Sequence, residues 1–165
     1  MTGASGASDR TGVELLLWLL DEAFERSDHS LLTNVASFPD EHWARVPQGA
    51  GRTVGAILGH VGGAKYMYEN FAFGDGSFEA GKPPVVAPLG REPLIEWLRE
   101  GQRRFVASLG ALSDRRLGEK RLTPWRGELE VREIARVIIE HDLYHAGEVN
   151  HLRALLDGSD RWPWE

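Results

Sequence analysis

Between Ile134 and Leu155 an apolar helical stripe is interrupted by three ionisable side chains. Ile134, Ile138, His141, His145, Glu148, Leu152 and Leu155 follow one another at alternating steps of four and three residues, the repeat of a helix face turned toward a bundle. At about 100° per residue, His141 and His145 stand roughly 40° apart and Glu148 falls about 20° to the other side of His141, so all three project the same way. Burying three such groups without partners costs several kcal/mol, because each loses hydration or must shift its protonation state. A cation removes the cost. Two imidazoles at i and i+4 let one helix offer two nitrogens to one metal ion, provided that a third ligand comes from elsewhere. His151, roughly 80° from His141, is left out of the site, and Tyr144 and Asp142 point away from the ligand face, toward packing or bonds behind it.

A third histidine occupies a similar position earlier in the chain. Thr53 is suited to cap a helix running to Phe73, which Gly74, Asp75 and Gly76 then break. On that helix Ile57, His60, Ala64, Met67 and Phe71 form the stripe, and Gly59, Gly62 and Gly63 surround the histidine with small residues. Each glycine costs about 1 kcal/mol relative to alanine within a helix, which indicates a steric requirement, the close approach of another helix or of a ligand. His60 is therefore the expected third ligand; its alternative is a histidine bonded to a backbone carbonyl in a crowded helix contact. His42, beside Trp43 in the turn-rich connector after Pro39, is a ligand by type but reads more simply as a surface residue.

The elements that must position these residues are all helical. Thr11 and Glu14 have capping-box spacing, and Val13, Leu16, Leu17, Leu20, Phe24, Leu31 and Val35 predict a first helix running to about Ser37. Pro93 suits the first turn of a third helix, whose apolar positions Leu94, Ile95, Trp97, Leu98, Phe105 and Leu109 continue to about Leu112. Its opposite face, with Arg99, Glu100, Arg103 and Arg104, reads as solvated surface. Prolines 83, 84, 88 and 93 make the stretch before it a long extended connection, a crossover that lets the second and third helices run parallel or diagonal. Residues 113–130 read as polar and irregular, with Trp125 either covering a pocket mouth or packing on a bundle end. A fourth helix spans about Glu130 to Leu156 and stops at Gly158. The first ten residues are expected to be a flexible tail, with residues 11–165 forming one domain, and the closing RWPWE to dock on the bundle or on a second subunit.

Composition narrows the chemistry further. The 165 residues are 42% hydrophobic and 27% charged, as in an ordinary soluble globular protein. A formal net charge of -6 opposes a general nucleic-acid or anionic-membrane partner. No segment approaches the roughly 18 apolar residues of a membrane span, and the N-terminus lacks the basic start and apolar core of a signal peptide, so a cytoplasmic location is expected. There is no cysteine. His, Asp and Glu are thus the strong metal ligands available, and any thiol chemistry must use a thiol brought by a substrate.

Four helices, a long connection after the second, His60, and the run H-D-L-Y-H-A-G-E-V-N-H-L-R from His141 together resemble the DinB/YfiT-like helical-bundle superfamily over nearly the whole chain. The resemblance implies an all-α, up-up-down-down four-helix bundle, often a homodimer, holding a divalent metal on three histidines with coordination positions left open. The matching positions are His60, His141 and His145. Where the family commonly has glutamine this chain has Glu148, an acidic residue able to accept a proton, orient a bound water or fix a histidine tautomer. Members include enzymes that use low-molecular-weight thiols such as mycothiol or bacillithiol for S-transfer or isomerisation, and others that look like stress-associated proteins without an assigned reaction. The resemblance therefore implies zinc or nickel, a small-molecule substrate and a thiol cosubstrate. A non-catalytic metal-binding bundle, or a metal-dependent hydrolase, is the alternative.

Overall fold

The computed structural model describes residues 11–79, 90–125 and 127–158. The expected N-terminal tail, most of the proline-rich connection and the RWPWE terminus lie outside these residues.

Helix α1, Gly12–Asp21, begins with the box that its first residues encode: Thr11 Oγ1 accepts from the Glu14 amide at 3.3 Å, and Glu14 Oε2 accepts from the Thr11 amide at 3.2 Å. The expected continuous helix to Ser37 does not form. After a π-helical turn over Glu22–Arg26 the backbone extends at Ser27, and α2, Leu31–Ala36, restarts under a new cap, Ser30 Oγ accepting from the Thr33 amide at 3.3 Å. The run Ser27-Asp28-His29-Ser30 supplies short polar side chains that compete for backbone hydrogen bonds and favour caps over helix interiors. The break still leaves Phe24, Leu31 and Val35 buried.

Helix α3 spans Val54–Ala72, with Thr53 Oγ1 accepting from the Ala56 amide at 3.1 Å. Helix α4 spans Arg91–Gly110. A Cβ on Gly62 would lie 2.2 Å from Trp97 Cζ3, so this glycine is needed for contact between α3 and α4 rather than for access to a ligand. The polar stretch expected to be irregular contains a short 3-10 helix, Asp114–Gly118, and a hairpin in which β1, Lys120–Leu122, pairs antiparallel with β2, Glu128–Glu130, Arg121 facing Leu129. Its charged three-residue strands show too little apolar alternation to be read as strands. Helix α5, Val131–Asp157, starts with a Glu130/Glu133 capping box and ends at Gly158 in the left-handed conformation, φ 65°.

The core falls into two apolar clusters separated by a polar layer. On α3 one cluster takes Ile57, Leu58 and Val61 and the other Tyr68 and Ala72; on α4 the division is Leu94 and Leu98 against Phe105 and Leu109; on α5 it is Ala146, Val149 and Leu152 against Ile134, Ala135 and Ile138. At the gap each helix places a buried polar residue: Lys65, Gln102 and Asp142. Leu155, expected on the buried stripe, is 47% exposed. A seven-residue repeat drifts by about 20° per heptad around a straight helix, and Leu155 lies three heptads beyond Ile134.

Candidate metal centre

The three histidines meet through their Nε2 atoms, those of His141 and His60 3.1 Å apart and those of His145 and His141 3.2 Å apart. Their ligand atoms all lie within 4.8 Å of one another, and among the described residues they are the one cluster of this kind. The site is not fully interior, as the helical stripes suggested. His145 is buried, His141 half-buried and His60 exposed, so the cluster forms a ramp from core to surface.

Behind the cluster, His145 Nδ1 lies 2.7 Å from Glu148 Oε2, which fixes the Nδ1–H tautomer and leaves the His145 Nε2 lone pair directed at the other rings. That assignment exposes a conflict. If His141 Nε2 carries a proton for His145, it has no lone pair for His60; if it accepts from His60, two bare lone pairs face each other toward His145. With three neutral rings, one close nitrogen pair stays unsatisfied in every tautomer, whereas a cation among them satisfies all three. These two separations also fit: nitrogens about 2.0–2.1 Å from one tetrahedral zinc ion stand about 3.3 Å apart.

The surroundings favour the neutral form of His141 and His60. Lost hydration, then the neighbouring His145 and His60 rings and Lys65, lower the His141 pKa to about 3. His60 is also held below its ordinary value, by lost hydration first, then His145 and Arg52, with Glu148 opposing. Deprotonated imidazole is the form that binds metal.

Glu148 turns its other oxygen, Oε1, toward Arg52 Nε at 3.4 Å, and it does not belong to the nitrogen cluster. His42 is not brought to the site either: its Nε2 lies 3.1 Å from Asp157 Oδ1 at the far end of α5. His151 is exposed. Tyr144, 71% exposed, sets its ring edge-on to His145 with centroids 5.0 Å apart. Trp125 is exposed and packs edge-on to Tyr68.

Lys65 was not foreseen. Its Nζ, wholly buried, donates to Asp142 Oδ2 at 2.7 Å and to Gln102 Oε1 at 2.8 Å, while Gln102 Nε2 donates to the Leu20 carbonyl at 3.3 Å. Burial pushes the Asp142 carboxyl up and the Lys65 amine down, and the contact between them opposes both shifts. Asp142 Oδ1 has no partner among the described residues. Lys65 follows Val61 by four residues and precedes Tyr68 by three, so it sits on a second apolar stripe of that helix, beside the one through His60, where a charged residue is visible by the same reasoning that picks out the histidines. Arg52 was also missed, because a loop arginine carries no periodic signal.

A mainly helical chain with three imidazoles converging from two helices is a candidate metal-binding bundle. Residues 23–149 match the DinB superfamily, and the chain belongs to it. That span includes His60, Lys65, His141, Asp142, His145 and Glu148. Among curated proteins none matches the chain.

Proposed function

We propose that this chain is a divalent-metal-dependent enzyme in which His60, His141 and His145 bind zinc or nickel and a small-molecule thiol is a cosubstrate. The observation that carries the reading is the close Nε2 triad, whose hydrogen bonding no set of neutral tautomers completes. A divalent cation held there supplies a Lewis acid able to lower the pKa of water or of a thiol. The protein's part is positional. Glu148 holds His145 in the tautomer that frees Nε2 and is a carboxylate beside the cluster able to accept a proton. His60, at the exposed edge, leaves one side open to substrate. S-transfer or isomerisation with a thiol such as mycothiol or bacillithiol suits that arrangement, and because the chain has no cysteine the thiol comes with the substrate. The competing reading is a structural ion in a non-catalytic bundle. A closed site of that kind wants a fourth protein ligand, and Glu148 and His42 are both engaged elsewhere.

The long crossover belongs to the same proposal, with helix directions that depart from the expected up-up-down-down order, in which the second and third helices, α3 and α4, would run antiparallel. The pairs Gly62 with Trp97, Lys65 with Gln102 and Glu69 with Ser108 ascend together, which supports parallel α3 and α4 joined by a crossover, whereas α5 pairs with α3 in descending order. We propose a homodimer. Among the described residues no helix is long and apolar enough to cross a membrane.

The test is elemental analysis of untagged protein together with a thiol-conjugation assay. Wild-type protein should hold close to one ion per chain and His60→Ala far less, with thiol turnover lost in parallel. Equal metal content in the two proteins removes His60 from the site.

A further inference from the structure

Arg52 stands just ahead of the Thr53 cap of α3, with its side chain 48% exposed beside the open edge of the histidine cluster. Its nearest approach to Glu148 is Nε to Oε1 at 3.4 Å, an ion pair without a hydrogen bond. The two Nη groups have no partner among the described residues, and the charge is close enough to act on His60. A guanidinium held by one edge presents a flat pair of donors on the other, the geometry that grips a carboxylate.

Charge balance points the same way. The histidines contribute none when neutral, Glu148 and Arg52 cancel, and Lys65 and Asp142 cancel whether the pair is ionised or shares its proton. The full charge of a divalent cation then remains on the exposed side, more than one thiolate neutralises. A second anionic group on the same ligand would meet both that residual charge and the free edge of Arg52. The chain as a whole, at -6, repels anions, so this local reversal of sign is selective.

We infer that the open side of the cluster receives small thiols bearing a carboxylate, with sulfur toward the three histidines and the carboxylate on the Nη edge of Arg52. This rests on the metal reading above, adds the residue that selects the ligand, and narrows the thiols named there to those with a carboxylate, bacillithiol rather than mycothiol.

The probes are 3-mercaptopropionate and its neutral amide, titrated into full-length protein loaded with cobalt(II). Binding is followed by calorimetry and by the near-ultraviolet absorption that a thiol adds to cobalt protein. The wild type should bind the acid at least about 10-fold more tightly than the amide, the size of a charge-assisted contact of roughly 1.4 kcal/mol or more, with the ratio shrinking as salt rises. In Arg52→Gln the ratio should fall to about one. In Glu148→Gln it should persist, since that change frees Arg52 without removing it. Equal wild-type affinities, or an Arg52→Gln protein that keeps the ratio, would overturn the inference while leaving the metal reading intact. Failure to take up cobalt, or no thiol-induced absorption from either probe, would sink both.

Discussion

Helices α3 and α5 bring polar side chains together twice within about two turns, and the two meetings are built on opposite terms. At Lys65 and Asp142 the charges are wholly buried, close at 2.7 Å and tied to Gln102. At His60, His141 and His145 the nitrogens crowd one another, lie partly in solvent and cannot all be satisfied. The first arrangement is held together by groups of the protein itself, with Asp142 Oδ1 left without a partner among the described residues. The second is complete only with something added. Adjacent residues, 141 and 142, are thus divided between a group in the open nitrogen cluster and a group buried against Lys65 between the helices.

The comparison breaks most visibly at Lys65. Replacing it with methionine leaves the Asp142 carboxyl buried without its cation and should lower unfolding free energy by about 3–5 kcal/mol in urea titrations, whereas Lys65→Met with Asp142→Leu should recover most of that loss. A single substitution costing under about 1 kcal/mol would show that the pair does not clamp the helices. Next in size is Glu148→Gln. Weakening the bond that orients His145 should reduce metal affinity by about 10- to 100-fold in competition with a chelator, with little change in metal-free stability. If stability falls instead, Glu148 belongs with Lys65 as a fold-holding residue.

The smallest effect is in pH. The His141 pKa in the folded, metal-free protein is about 3, below its ordinary 6.5, so between those values the unfolded chain binds more protons and stability should decline as pH falls through that window. Saturating metal should oppose the decline until protons outcompete it. Thermal melts of metal-free and loaded protein at pH 7 and pH 5 measure both arms, and metal-free melts independent of pH would contradict the origin assigned to the shift.

How far these two regions could be read from the chain depends on what each does to a periodic pattern. His60, His141 and His145 stood out because ionisable residues on apolar stripes are visible at helical spacing, and the structure gathers all three. Capping chemistry was equally legible at Thr11, Thr53 and Gly158, where one residue type meets a local backbone need. Lys65 and Asp142 carried the same signal on their stripes, but their meaning depended on each other across 77 positions of sequence. The exposure of His60 was hidden because a stripe gives direction around a helix and not distance from the surface. The break at Ser27 and the 120–130 hairpin were obscured for a simpler reason. Helical spacing from Phe24 to Leu31 survives a π turn and restart, and strands of three charged-rich residues offer no alternation to detect.

The stratum of Lys65, Gln102 and Asp142 gives the molecule a waist. Above and below it oily side chains grip all three long helices; at its own height they are held by charge, with His141 next to Asp142 in that band and His60 and His145 beside Val61 and Ala146 of the neighbouring cluster. Whatever settles on those rings ties α3 to α5 close to that seam, and its binding energy adds to the stability of the folded bundle.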